Sequence, residues 1–335
     1  MALRKKIRVI QYGLGPIGIE TAKLVLKKAN LKLVGAVDIS KDIAGKDLGE
    51  VLGTGKKLGV KVSDNAKALF RNTKADVVLH TAGSRIPKIY DQLIEIIGGG
   101  LNIVSSSEEL LFPMKGSARL AKQIDRLAKA KNVTVLGTGV NPGFVMDALP
   151  LFLTAVCQDV RRVHVERVVD AGTRRYPLQK KVGASMTPKE FYEKISRKEL
   201  GHVGLTESLH IVSKKLGLDI DEVLETIDPV IAKKTVKTKF FALKPGDVAG
   251  IKHIAKGIKN GEPVLTLDLR MYIGAEDPHD AIRIVGTPEI NVRIEGGVAG
   301  DQATAAVLVN SVENVVNSRS GLTTITDIPA AHYTR

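Results

Sequence analysis

The stretch Ile7–Asp38, IRVIQYGLGPIGIETAKLVLKKANLKLVGAVD, decides how the rest of the chain is read. Its apolar run Ile7–Ile10 reads as a buried strand. A glycine-rich turn follows, Gly13-Leu14-Gly15-Pro16-Ile17-Gly18, and opens an amphipathic helix that runs to about Lys28. A second apolar run, Leu33–Val37, ends at Asp38, twenty residues beyond the third glycine. Each glycine has a physical task in a dinucleotide site. Gly13 permits the tight turn, Gly15 lets backbone approach a pyrophosphate, and Gly18 lets the helix pack close to the strand. The helix N-terminus offers unpaired N–H groups and the positive end of its dipole to phosphates. Asp38 is placed to accept hydrogen bonds from a ribose diol. The glycines alone are a weak signal, since any tight turn uses them. Strand, helix, second strand and terminal acid in this order favour a dinucleotide cradle over a turn without a ligand.

The same alternation continues downstream. Asp42–Gly59 is a polar, glycine-rich passage suited to a loop or short helix. A short strand is expected at Val60–Val62, a helix at Asn65–Phe70, a buried strand at Asp76–His80 and a helix at Pro87–Ile97. A strand at Leu101–Val104, a helix at Ser117–Lys131 and a strand at Val133–Leu136 complete the series. Strands alternating with helices at this spacing predict a doubly wound parallel sheet, the Rossmann arrangement, within an α/β fold. After Gly137 the texture changes, and a second, α+β domain is expected. There a helix is predicted from about Val145 to Cys157, and Arg161–Val169 reads as an antiparallel strand with one wet face. Asp170–Ser185 reads as a basic loop. Helices are expected near Pro188–Ser196, Leu205–Leu216 and Asp221–Ile227, and strands at Val264–Ile273 and Glu289–Ile294. The small-residue helix Asp301–Ser318 is expected to pack back on the first domain. The predicted domains are residues 1–142 for the dinucleotide, 143–299 for substrate and dimerisation, and 300–335 returning to the first.

Composition limits the function. At 335 residues with 44% hydrophobic side chains, the chain can fill two cores. Lys and Arg number 50 against 36 Asp and Glu, a net charge of +14. The lysines are scattered in ones and twos, without a basic tail or aromatic-interleaved basic patch, and aromatics make up 4%, which argues against nucleic acid as a partner. Abundant Lys, Ile and Val with a single Cys and no Trp fits a heat-adapted, thermostable protein. Cys157 reads as a small buried hydrophobe, and one cysteine permits neither an internal disulfide nor a cysteine-based zinc cage. No metal site is expected. The opening MALRKKIRVIQYG passes from basic residues straight into a strand, and the apolar region Phe144–Cys157 is interrupted by Asp147 and Pro150. A cytoplasmic protein without membrane association is therefore expected.

Candidate chemistry gathers at the carboxyl ends of the first-domain strands. Thr81, Ala82 and Gly83 follow one buried strand, where ligands of doubly wound sheets bind. Another strand ends in Asn102-Ile103-Val104-Ser105-Ser106-Ser107-Glu108-Glu109-Leu110-Leu111-Phe112-Pro113. One of its two glutamates, turned into a cleft and partly desolvated, would suit general-base work. Both could instead simply begin a helix. Asn141, Pro142 and Phe144 are expected to line the nicotinamide side of an interdomain loop, a bare hinge being the other reading. Arg174 and Arg175 would either hold a substrate carboxylate or solvate a loop. His202 is a candidate substrate contact or a structural histidine, and Thr304 on the last helix is placed to reach cofactor or substrate. Asp38 favours NAD by repelling a 2′-phosphate, whereas Ser40 and Lys41 would admit NADP if Asp38 rotated away.

Several segments together resemble one known family. They are the Gly13–Gly18 turn, Ser105–Pro113 (SSSEELLFP), Gly137–Pro150 (GTGVNPGFVMDALP), Val168–Gly183 (VVDAGTRRYPLQKKVG), Gly201–Ser208 (GHVGLTES) and Gly300–Asn310 (GDQATAAVLVN). The chain resembles the 2,4-diaminopentanoate dehydrogenases and native amine dehydrogenases, relatives of dihydrodipicolinate reductase, over nearly its whole length. The resemblance implies a glutamate of the S-x-x-E-E-L stretch as catalytic carboxylate, here Glu108, with Glu109 the alternative and otherwise a substrate contact. Many members carry Cys where this chain has Ser107. The His-His-x-x-Lys type of signature of dihydrodipicolinate reductases is missing; Val168–Arg175 stands in its place. The implied reaction is oxidative deamination of an amine to a ketone and ammonia, and its reverse, with NAD(H) as cofactor, NADP(H) plausible, in a homodimer. Glu108 would take a proton from the substrate ammonium and later activate water on the iminium. A reductase of another carbonyl or cyclic imine, and a nucleotide-sensing regulator without turnover, are the competing readings.

Overall fold

A computed structural model describes residues 6–114 and 116–334. The basic opening, residues 1–5, from which the expectation about the N-terminus was drawn, lies outside them. The chain forms two compact units, one built from residues up to Phe144 together with those from Ala299 onward, the other spanning Val145–Val298.

The first unit begins with β1 (Ile7–Tyr12), α1 (Pro16–Lys27), β2 (Leu31–Val37), α2 (Leu48–Val51), β3 (Val62–Ser63), α3 (Ala66–Asn72) and β4 (Val77–His80). It continues with α4 (Ile86–Gly98), β5 (Asn102–Ser105), α5 (Ala118–Ala130) and β6 (Thr134–Gly137). Asn65, expected as the first helical residue, instead caps α3, its side chain accepting from the Ala68 N–H. Successive strand residues face opposite sides of the sheet, and both sides are apolar, as a buried parallel sheet requires. Val9, Leu79, Val104 and Leu136 pack with Ala22 and Val25 of α1 in one core. Ile10, Val78, Ile103 and Val135 pack with Ile89, Leu93, Ile96 and Ile97 of α4 and Ile124 of α5 in the other.

The second unit holds α6 (Ala148–Leu153), β7 (Asp159–Asp170), α7 (Tyr176–Lys181), α8 (Pro188–Ser196), α9 (Leu205–Leu216) and β8 (Glu222–Ile231). Next come β9 (Val236–Lys237), β10 (Ala242–Leu243), β11 (Val248–Lys259), β12 (Glu262–Tyr272), β13 (His279–Thr287) and β14 (Ile290–Glu295). Six of these strands form a sheet in the order β14-β13-β7-β12-β11-β8, with β9 and β10 a separate ribbon. Only the β7–β12 pair of this sheet is parallel, so β7, expected as antiparallel, is so on its β13 side alone. Arg167 of β7, 3% exposed, makes two 2.7 Å bonds to Asp280 of β13, which is 1% exposed. Burial lowers the Arg167 pKa and the Asp280 charge opposes that shift.

The chain then returns to the first unit as α10 (Gly300–Asn310), α11 (Val312–Val316) and β15 (Gly321–Thr323). The expected final helix thus breaks at Ser311, whose hydroxyl donates to the Val307 carbonyl. Leu308 and Val309 of α10 and Val312 and Val315 of α11 join the core of α1, and β15 extends the sheet beside β6. The seven strands run in parallel in the order β15-β6-β5-β4-β1-β2-β3. The winding reverses between β1 and β4, which opens a crevice at their carboxyl ends.

Four expectations need correction. Residues 221–227 are not helical: Glu222–Ile231 is strand β8, paired antiparallel with β11 along its length. Its Glu- and Leu-rich composition favours helix, but cross-strand pairing overrides so weak a preference. The basic passage 170–185 is not a plain loop, since it contains α7, which Pro177 starts in its first turn. The helix expected to reach Cys157 ends at Leu153 and tightens into a 3-10 turn over Thr154–Val156. Cys157 is then part-exposed, its Sγ 3.8 Å from the Pro288 carbonyl oxygen, and is not a core residue.

Candidate active site

The glycine turn shows its reasons in the coordinates. Gly13 has φ +85°, where a side chain is strained. A Cβ at Gly18 would run into the Gly13 carbonyl oxygen and come within 2.7 Å of Thr81 Oγ1, so only glycine lets α1 start this close to the strand. A Cβ at Gly15 would meet nothing within 4 Å, and Gly15 and Pro16 are exposed. Gly15 is the N-cap of α1, no side chain caps that end, and its first turn holds no acid. Leu14 is buried and Ile17 half-buried under the turn. This is a cradle that a phosphate fits: open space over Gly15, N–H groups and a positive helix end.

Thr81, half-buried after β4, serves the turn itself. Its hydroxyl donates to the carbonyls of Tyr12 (3.1 Å) and Gly13 (2.9 Å) and accepts from Gln11 Nε2 (2.9 Å). Ala82 is exposed and Gly83 lies against Ile89 of α4. Asp38 Oδ2 accepts from the Leu14 N–H (2.6 Å) and Oδ1 from the Ser40 N–H (2.8 Å). The two bonds fix the carboxylate beside the glycine turn and oppose its rotation away, while each oxygen keeps a lone pair for a ligand hydroxyl.

Beyond β5, the two glutamates open a 3-10 turn, Glu108–Leu110. Glu109 is committed to the architecture. Its Oε2 accepts from the Ile86 N–H at the start of α4 (2.8 Å) and from Ser117 Oγ (3.0 Å), and its Oε1 pairs with Arg85 at 3.3 Å. Glu108 is half-buried at the same carboxyl edge. The serines knit this edge together: Ser107 Oγ donates to the Ser84 carbonyl (2.9 Å), and Ser105 Oγ accepts from the Ser107 N–H (3.1 Å). Sequence reasoning passed over His80, which is fully buried with Nδ1 2.9 Å from Ser105 Oγ and Nε2 2.9 Å from Gln92 Oε1. Burial holds its pKa down at about 4. A histidine ending an otherwise apolar strand, level with a serine ending the next, was the signal available.

Asn141 and Pro142, joined by a cis peptide, follow β6. The Asn141 Oδ1 is buried without a hydrogen-bond partner, an acceptor suited to a ligand amide. A Cβ at Gly143 (φ +126°) would collide with the Gly139 backbone, so the loop folds tightly on itself. Phe144 is half-buried, and Thr304 of α10 rests against Gly139. The first unit therefore brings the glycine turn, Asp38, Ser40, Thr81–Gly83, Glu108, Glu109, Asn141, Pro142, Phe144 and Thr304 into one body. Arg174 and His202 belong to the second. The Arg174 carbonyl accepts from buried Gln179 Nε2 (2.7 Å), which fixes the path of that segment. His202 has a buried Nδ1 without a partner and a pKa well below the usual value, lowered by burial and then by the charges of Lys181, His253 and Arg167. Asp147, fully buried, caps α6 through the Ala148 N–H and accepts from Ser208 Oγ of α9 (2.6 Å).

Residues 144–334 match the family described as the 2,4-diaminopentanoate dehydrogenase C-terminal domain. A 2,4-diaminopentanoate dehydrogenase of Acetoanaerobium sticklandii is 31% identical over 97% of this chain and 94% of its own. The chain belongs to the 2,4-diaminopentanoate dehydrogenase family. Residues 7–95 match the N-terminal domain of dihydrodipicolinate reductase, in keeping with the dinucleotide-binding fold. An amine dehydrogenase of Streptomyces virginiae is 23% identical over 96% of both chains. The solved amine dehydrogenase of Mycobacterium smegmatis superposes with a TM-score of 0.87 at 25% identity, over 100% of this chain and 99% of that one. Among the described residues, no helix is long and apolar enough to cross a membrane and no cluster of three or more His, Cys, Asp or Glu is arranged to hold a metal.

Proposed function

We propose that this member of the family is an NAD(P)-dependent amine dehydrogenase. It deaminates a 2,4-diaminopentanoate-like or small aliphatic amine to a ketone and ammonia, and runs the reverse reductive amination. The observation that carries this is the adjacent carboxylate pair, Glu108 and Glu109, set in a 3-10 turn at the carboxyl edge of the sheet that holds the glycine turn. Glu109 is tied to Ile86, Ser117 and Arg85, and a carboxylate so used is a poor proton carrier. Glu108, half-buried at the same carboxyl edge, is assigned as the catalytic carboxylate.

The dinucleotide, when bound, supplies the hydride acceptor. The Gly13–Gly18 turn and the start of α1 would take its pyrophosphate, Asp38, steadied by the Ser40 N–H, its ribose, and Ala82, Gly83, Asn141 and Pro142 its nicotinamide end, with Thr81 holding the turn from beneath. Because both Asp38 oxygens are anchored by backbone N–H groups, NAD is preferred and NADP is the weaker cofactor. Glu108 takes a proton from the substrate ammonium, since only the free amine can push electrons towards the departing hydride. After releasing that proton to solvent, the carboxylate stabilises the iminium, removes a proton from the water that attacks it and passes this proton to the departing nitrogen. The carbinolamine collapses to ketone and ammonia. Phe144, Thr304, Arg174 and His202 are each proposed as substrate contacts. The domain division, residues 1–142, 143–299 and 300–335, belongs to this reading. So do a cytoplasmic, heat-stable homodimer formed through second-unit strands and the absence of a metal cofactor.

A screen of small ketones and 2-amino-4-oxopentanoate, with and without ammonia and with both reduced cofactors, tests the assignment. Oxidation of NADH that requires both ketone and ammonia supports it. Oxidation with a carbonyl or cyclic imine that ignores ammonia would make the chain a reductase on the same scaffold.

A further inference from the structure

The buried imidazole at the end of β4 is linked by hydrogen bonds to the backbone next to Glu108. Gln92 of α4 presents Oε1, an acceptor only, to His80 Nε2 at 2.9 Å, so Nε2 carries the ring proton. Nδ1 is then an acceptor and takes the hydroxyl proton of Ser105, 2.9 Å away. The Ser105 oxygen in turn accepts the Ser107 N–H at 3.1 Å, one residue before Glu108. A direction therefore runs through the chain, from the Ser107 amide to Ser105, to His80, and from His80 to Gln92. The strand register sets it up, because His80 pairs with Ser105 at the ends of neighbouring strands. The ring is 0% exposed and packs at 5.3 Å between centroids against Tyr12, which holds it in one orientation.

We propose that His80 is a positioning residue for the reaction: through Ser105 it fixes the Ser107 amide and so sets where the Glu108 carboxylate points. The proposal rests on the assignment of Glu108 as the catalytic group. A neutral ring suits the task, since only a ring without a proton on Nδ1 can accept from Ser105, and the burial that suppresses its protonation maintains that state. Serine at position 105 is needed as a relay with one donor and one acceptor to offer in opposite directions. His80, Ser105 and Gln92 are not assigned to the substrate; their effect is on geometry, and about 1 Å of misplacement of a reacting group can cost two orders of magnitude in rate.

The test uses the full-length protein with 2-amino-4-oxopentanoate, ammonia and NADH. His80→Leu removes both ring nitrogens, while His80→Asn keeps an oxygen near Nδ1 that can accept from Ser105. The proposal expects kcat to fall about tenfold or more in His80→Leu, which is about 1.4 kcal/mol of barrier. It expects kcat within about threefold of wild type in His80→Asn, and a KM for NADH within about threefold in both. Ser105→Ala, a smaller change, should reproduce the loss in kcat if His80→Leu does not fold. Wild-type kcat in His80→Leu or Ser105→Ala, or equal losses in His80→Leu and His80→Asn, overturns the proposal. Glu108→Gln separates the two levels: an inactive Glu108→Gln beside a fully active His80→Leu refutes the positioning role alone. A fully active Glu108→Gln removes the assignment on which it stands.

Discussion

Replacing Gly15 and Gly18 one at a time by alanine separates the two tasks of the turn. At Gly18 the added methyl would overlap the Gly13 carbonyl oxygen and sit 2.7 Å from Thr81 Oγ1. Neither is the flexible end of a side chain: the carbonyl is backbone, and the Thr81 hydroxyl is held by three hydrogen bonds. α1 must move away from β1, and overpacking of this kind costs about 1–3 kcal/mol. For a unit of this size about 2 kcal/mol lowers Tm by roughly 4–8 °C. At Gly15 the methyl meets nothing and φ is −64°, ordinary for alanine. Alanine in place of a glycine N-cap costs about 0.5–1 kcal/mol, and reduced freedom of the unfolded chain returns about 0.4–1, so the apoprotein should change by less than about 0.6 kcal/mol. The same methyl stands where the pyrophosphate has to approach. NADH affinity should fall at least about tenfold, or about 1.4 kcal/mol. Thermal melts of the apoproteins and NADH titrations followed by nicotinamide fluorescence read both quantities. Wild-type NADH affinity in Gly15→Ala would refute the cradle, and wild-type stability in Gly18→Ala would refute the close approach of α1.

Two further outcomes follow from specific contacts. Asp38→Ala removes the acid that the Leu14 and Ser40 N–H groups hold in place, and the ratio of kcat/KM for NADH to that for NADPH should drop about tenfold or more; an unchanged ratio would place cofactor choice elsewhere. His80 titrates at about 4 in the folded protein and near 6.5 when unfolded, so at neutral pH the folded ring is uncharged, the unfolded one is mostly so, and the effect on stability is small. As pH falls the unfolded chain takes up the proton first, and the native state loses up to about 1.4 kcal/mol per unit, about 3 kcal/mol by pH 4, levelling off at about 3.4 below it. Urea unfolding at pH 7 and pH 5 should show wild type losing about 2 kcal/mol more than His80→Asn, and equal losses would mean that the ring is not held neutral.

The dinucleotide half was legible because each of its residues answers a single constraint. Gly18 is glycine for steric reasons that any α1 placed against β1 imposes, and the two-sided apolar strands admit only a covered parallel sheet. The second unit was less legible. Strand β8, EVLETI at its start, carries helix-favouring residues, and the β11 partners of those six lie 26 to 36 residues further on, beyond the reach of local pattern. Within the site, adjacency hid the surroundings of Glu108 and Glu109: two neighbouring acids have the same composition and propensity, and the Ile86 amide and Ser117 that hold Glu109 come from other parts of the chain. His80 was invisible for a related reason, because its importance lies in Ser105 and Gln92, which the fold brings to it from two other elements.

Glu108 is the centre of the proposed chemistry, and one comparison tests it most directly. Wild-type protein and Glu108→Gln are assayed for NADH oxidation with 2-amino-4-oxopentanoate, each with and without ammonia, and NADH binding is titrated in both. Wild type should oxidise NADH only when ammonia is present, and Glu108→Gln should bind NADH normally while kcat falls by about two orders of magnitude or more. Ammonia-independent turnover by wild type, or full turnover by Glu108→Gln, would contradict the assignment.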